Sequence, residues 1–80
     1  MSKNNNSAGI VVHISEELQQ DQINMLETSL GNDEGVTSAR INRDRKHLML
    51  VDYLPNIVNA QQVLSYVTNK GYKAALVGWI

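Results

Sequence analysis

The chain is 80 residues long and contains no cysteine, so disulfides, thiolate metal sites and thiol redox chemistry are excluded and packing alone must hold the fold. A net charge of −1 argues against a nucleic-acid module, whose phosphate contacts need a basic face. An apolar share of 42% is enough for one core in one domain, near the lower size limit for folding unaided.

Residues 1–8, with the polar run Asn4-Asn5-Asn6-Ser7, offer nothing to bury and read as a disordered lead to a single domain over 9–80. No apolar stretch in that lead suits a signal peptide, and no segment reaches the ~20 apolar residues of a membrane span. The expectation is a soluble cytoplasmic protein of bacterial type, with no membrane insertion. Ile10-Val11-Val12-His13-Ile14 is apolar and β-branched without clean alternation, which predicts a central strand. A polar stretch, Ser15 to Gln22, follows. Ile23, Leu26 and Leu30 then fall on one helical stripe, with Leu18 and Met25 off it, so the first helix is predicted to start near Gln19. Gly31 sits where a helix end takes a left-handed cap, and Asn32-Asp33-Glu34-Gly35 continues as loop.

Val36 to Asn42 alternates apolar with polar and predicts a half-exposed strand. Arg40, Arg43, Arg45 and Lys46, with Asp44 among them, form the chain's basic cluster and read as a solvated hairpin tip rather than a phosphate-binding patch. Leu48 to Tyr53 is apolar on both faces and predicts a second central strand, ended by Pro55. Asn59 with Gln62 three residues on makes a capping box before the stripe Ala60, Val63, Leu64 and Val67. Lys70 and Gly71 close that helix, and Tyr72 to Val77 forms the last strand. The order β, α, β, β, α, β is the ferredoxin-like arrangement. Right-handed crossovers then give an α+β sandwich. Its four-stranded antiparallel sheet has the first and third strands in the middle and both helices on one face.

With those elements in place, the residues carry a resemblance. Leu26-Glu27 with Leu30, Gly35-Val36, Ala39, Ile41 and Asn42, Val51-Asp52-Tyr53 with Pro55, and Gly71-Tyr72-Lys73-Ala74 stand in the order and spacing of a heavy-metal-associated domain. The chain resembles that superfamily from Gly9 to Gly78, with the hairpin between the second and third strands about one residue longer. Its members include copper chaperones and the small modules of copper-transporting ATPases, so the resemblance implies a metal-transport-like relative. The family holds soft metal in a Met-Thr-Cys-x-x-Cys loop before the first helix. The resemblance puts the two cysteine positions on Gln19 and Gln22, the methionine near Glu17 and the threonine near Leu18. A neutral amide is a poor ligand for copper(I), so the resemblance implies the fold and a degenerate metal site.

Other donors are scarce. His13 ends the first strand, and His47, at the start of the third, reads as lying at the opposite end. Both are taken as surface histidines, and the methionines beyond Met1 as core. Weak metal candidates are His13 with Glu16, Glu17 and Asp21, although acids at a helix start more often favour its dipole. No cofactor is expected. Enzyme chemistry has no footing: the serines lack a histidine and an acid at suggestive positions. The loop Ser15-Glu16-Glu17 would repel the phosphate that acylphosphatases, of the same topology, bind. RNA-recognition domains stack bases on aromatic residues of the central strands, and this chain has no Phe.

Alternation offers one more candidate. If Ile10, Val12, Ile14, Met49, Val51 and Tyr53 face the helices, then Val11, His13, Leu48, Leu50, Ala75 and Val77 lie on the other face of the sheet, Trp79 following them. An outer face that apolar is expected to take a protein partner or a second copy of the chain. The alternatives are a metal-binding module with non-thiolate ligands, such as His13 and the loop carboxylates, and a small-ligand-sensing dimer.

Overall fold

A computed structural model describes residues 7–79. Its elements are β1 (Ala8–Ile14), α1 (Gln20–Gly31), β2 (Val36–Ile41), β3 (Leu48–Tyr53), α2 (Ala60–Thr68) and β4 (Ala74–Trp79). The strands pair antiparallel in the order β2-β3-β1-β4, so the predicted ferredoxin-like sandwich is present and β1 and β3 are central. β1 starts at Ala8, paired with Tyr53. Of the lead expected over residues 1–8, Ala8 belongs to the strand and residues 1–6 lie outside the described residues.

Two periodicities meet in the core. Every second residue of the central strands, Ile10, Val12 and Ile14 with Met49, Val51 and Tyr53, is buried. Onto them pack Ile23, Leu26 and Leu30 of α1 and Val63 and Val67 of α2, each on one stripe of its helix. Leu18, off that stripe, is buried as well, because it enters the core from the loop before α1. Met25 behaves otherwise: it is 71% exposed on the outer side of α1, while Met49 is fully buried as expected.

The helix ends divide between expectation and correction. At α2, Asn59 Oδ1 accepts from the Gln62 N–H at 2.8 Å and Gln62 Oε1 accepts from the Asn59 N–H at 2.9 Å, the reciprocal box predicted there. Gly71 takes φ +100° just past α2, as a left-handed terminator does. Gly31, by contrast, is the last residue of α1, and Asn32 after it ends the helix in the right-handed region at φ −94°. The chain reverses instead at Gly35, with φ +86°. Lys70, expected to complement the end of α2, reaches further and pairs with Asp33 Oδ2 at 2.9 Å.

The last strand also differs. It begins at Ala74, and a bulge interrupts its pairing with β1: Leu76 stands opposite Val12, Gly78 opposite Val11 and Trp79 opposite Ile10. Val77 is the extra residue. Trp79 therefore stands in register with Ile10 of the helix-facing set instead of following Val77 on the outer face, and it is 68% exposed at the end of the edge strand.

At the opposite edge, the carboxylate of Glu27 on α1 accepts from the backbone N–H of Ile41 on β2, at 2.8 Å. A charged acceptor on a half-buried donor contributes about 1–3 kcal/mol. Glu27→Ala is expected to destabilise the fold toward the middle of that range in urea unfolding, and Glu27→Gln by less, because the amide oxygen can still accept.

Candidate functional site

The loop from Ser15 to Gln19 is fastened at both ends. The Ser15 N–H donates to Lys73 O at 2.8 Å, and the Glu16 carboxylate accepts from the Lys73 N–H at 3.0 and 3.1 Å. Glu16 is thus spent on tying the loop to the entry of β4, a contact that sequence spacing did not signal. Gln19 is the N-cap of α1, in extended conformation. Three residues on, Gln22 turns back and its Oε1 accepts from the Gln19 N–H at 2.8 Å. A helix start leaves its first N–H groups without partners in the helix, and Gln22 supplies one to the cap. The amide at one of the positions where the resemblance expects thiolates is therefore already engaged by the backbone of the other. Neither glutamine is a good ligand for a soft cation, and the pair does not fit the copper(I) chemistry that the resemblance would imply.

The hairpin between β2 and β3 comes up beside this loop. Asn42 Oδ1 accepts from the N–H groups of Asp44 and Arg45, both at 2.8 Å, which fixes the turn. Glu17, Leu18 and Gln19 then face Asp44, Lys46 and His47 across a pocket of about 420 Å³. The basic residues of the tip, Arg43, Arg45 and Lys46, are exposed, as a solvated turn requires.

The structure brings the two histidines together. Because β1 and β3 run antiparallel, the end of one meets the start of the other, and the rings of His13 and His47 stack with centroids 5.6 Å apart and planes 20° from parallel. The expectation that they lie at opposite ends fails on strand direction alone, which the predicted sheet order already implied. His47 Nδ1 lies 2.6 Å from Ile14 O. A carbonyl oxygen can only accept, so Nδ1 carries the proton and Nε2 of the neutral ring keeps its lone pair. The acids are arranged otherwise: Glu16 is tied to Lys73, Asp21 is exposed on the first turn of α1, and Glu17 faces the hairpin. Among the described residues no three His, Asp or Glu side chains gather closely enough to hold a metal ion.

On the outer face, β-pairing sets Val11 against Leu50 and His13 against both Leu48 and Ala75. Leu50 is 38% exposed and Val77 55%. Gly78 stands opposite Val11, and a Cβ built on it would meet nothing within 4 Å, so nothing covers β4 at that point. Toward β2 a shallow cleft of about 390 Å³ runs between Val11, Leu48, Leu50, Arg40 and Asn42. At the far end the polarity returns, where Ser38 Oγ donates to Asp52 Oδ2 at 3.0 Å. No helix of the described residues is long and apolar enough to cross a membrane.

No family model and no curated protein matches the chain. Solved structures do. A copper-binding domain from HMA7, a P-type ATPase, is 21% identical with a TM-score of 0.80, covering 90% of this chain and 96% of that one. The N-terminal domain of a potential copper-translocating P-type ATPase from Bacillus subtilis, in its Cu(I)-loaded state, is 24% identical with a TM-score of 0.79 over 92% and 91%. Oxidized MerP from Ralstonia metallidurans is 10% identical, with a TM-score of 0.75 over 88% and 96%. The chain therefore has the ferredoxin-like fold of the heavy-metal-associated domains, without a cysteine anywhere in it.

Proposed function

We propose that this is a non-enzymatic domain on the heavy-metal-associated fold whose metal loop is degenerate and which acts through protein contact on its outer sheet face. The observation that carries the reading is the start of α1. Gln19 and Gln22 stand where the resemblance puts thiolates, and they serve the helix as a cap. What the loop gives up in chemistry, the sheet offers in surface: Leu50 and Val77 are exposed beside the half-buried Val11 and Leu48. Exposed aliphatics grouped on one sheet face are the usual mark of a contact surface. The localisation that goes with this reading is the cytoplasm, with no nucleic-acid partner and no membrane insertion.

Two measurements test it. In a copper(I) titration under reducing conditions against a chromogenic chelator, the protein is expected to leave the metal with the chelator; stoichiometric uptake by the chain would overturn the degenerate-loop reading. Leu50→Lys with Val77→Lys is expected to change stability by no more than about 0.5 kcal/mol, since surface substitutions of this kind are nearly neutral. The same pair should abolish any concentration-dependent association seen by analytical ultracentrifugation. An association that survives both lysines would remove the outer face as the contact.

A further inference from the structure

We infer that His13 and His47 form a two-histidine site for one borderline divalent cation of the zinc(II) class, separate from the Gln19–Gln22 loop. The inference does not rest on the contact reading above, since either can hold without the other.

The geometry carries it in three parts. The first is spacing. Two imidazoles bound to one ion at about 2 Å per nitrogen put their ring centroids roughly 5–6.5 Å apart, depending on the angle at the metal. The rings of His13 and His47 stand 5.6 Å apart, within that range, with their planes 20° from parallel. The second is proton placement. A metal-binding histidine almost always gives its other ring N–H to a carbonyl or carboxylate, which fixes the tautomer and aims the free nitrogen. His47 makes that hydrogen bond to Ile14 O at 2.6 Å, which leaves Nε2 as the donor atom. The third is freedom in the second ligand. Among the described residues the His13 side chain makes no hydrogen bond, and its ring packs on that of His47. An imidazole binds an ion in its ring plane, so His13 turns out of the stack to aim a nitrogen at a shared ion, and it gives up no side-chain hydrogen bond in doing so.

The backbone is pre-arranged as well. His13 is the next-to-last residue of a central strand, and His47 is joined to that strand by the hydrogen bond from Ile14 N to His47 O, at 2.7 Å. A site held by a strand residue and by the turn residue bonded to that strand costs little ordering on binding. Imidazole suits zinc, nickel and copper(II) rather than magnesium or calcium. Two protein ligands leave the remaining positions to water or to a donor from a docked molecule, so the affinity is modest and the ion exchangeable.

The test is zinc(II) alone, added to the full chain with the ring nitrogens of both histidines followed by long-range ¹H–¹⁵N correlation. Saturable shifts of His13 and His47 together, at one zinc per chain, are expected. His13→Gln and His47→Gln should each weaken binding at least tenfold, while Glu17→Gln with Asp21→Asn leaves it unchanged. No saturable shift, a shift at one histidine only, or binding that survives His13→Gln overturns the site. Because zinc(II) is read at the rings and copper(I) in competition with a chelator, failure here is distinguishable from failure of the degenerate-loop reading.

Discussion

Gln19→Cys combined with Gln22→Cys is expected to turn a chain that leaves copper(I) in a chelator into one that takes up a single ion, with affinity higher by several orders of magnitude. The argument is positional. The two residues lie three apart across the first turn of α1, a spacing that puts side chains on one face of a helix. Both are exposed, so the new side chains displace nothing in the core. Thiols at a helix N-terminus are acidified by the dipole, and the thiolate is the form that binds metal. The loop that carries them is already held by Ser15 and Glu16 against Lys73. The double variant also loses the Gln22 oxygen that closes the cap, which should lower stability by about 1 kcal/mol in the metal-free form. Metal should then restore more than that, because a ligand that binds only the folded state stabilises it. A double-cysteine chain that remains indifferent to copper(I) would mean that Gln19 and Gln22 are not the positions the resemblance makes them.

The second large effect concerns Gly35, whose replacement by alanine is expected to cost about 2–5 kcal/mol in urea unfolding. Its φ of +86° lies in the left-handed region, where a Cβ costs about 1–2 kcal/mol. The space is closed too. An added Cβ would fall 2.7 and 3.0 Å from the two Cγ atoms of Val58 and 3.2 Å from Ile57 Cγ2. Val58 is buried, so it has little room to move, and overpacking of this kind costs a further 1–3 kcal/mol or so. The backbone cannot yield easily either, because Gly35 O accepts from the Leu54 N–H at 2.8 Å. Gly71 is the internal control. It has the same sign of φ, at +100°, and nothing within 4 Å of a built Cβ. Gly71→Ala should show the backbone cost alone, and the difference between the two variants isolates the clash. Equal losses would place the whole effect in the backbone.

How far such features can be read before the structure depends on their range. The strands and both helical stripes were legible because alternation and 3.6-residue spacing are local and redundant: Ile10, Val12 and Ile14 announce a buried face without help from the rest of the chain. The end of α1 was not. Glycine is permissive rather than compulsory in the left-handed region, so position along the helix pointed to Gly31, while the reversal falls at Gly35, packed under Val58. The bulge at Val77 was equally silent, since it arises from pairing with β1 and leaves Trp79 one register away from where alternation puts it. For the candidate site the division runs the same way. The resemblance singled out the two glutamines, but that Gln22 folds back on Gln19 needed the turn itself. Long-range contacts, Glu16 with Lys73 and His13 with His47, join residues far apart in sequence. The second could have been deduced by carrying the antiparallel order through to the strand ends.

β4 is an edge strand of six residues without a charge among them, running from Ala74 to Trp79. Uncharged, apolar edges are templates for unwanted strand pairing, and charge, proline or a bulge is what normally blunts them. Here charge and proline are missing from the strand, so the extra residue at Val77 is its guard: it bends the ladder and breaks the run of backbone groups that a foreign strand could follow. Protection of this edge thus falls to an irregularity of one residue. Deleting Val77 would straighten the edge, and the first sign should be turbidity or thioflavin-positive material at concentrations where the parent chain stays clear, before any loss of helical signal.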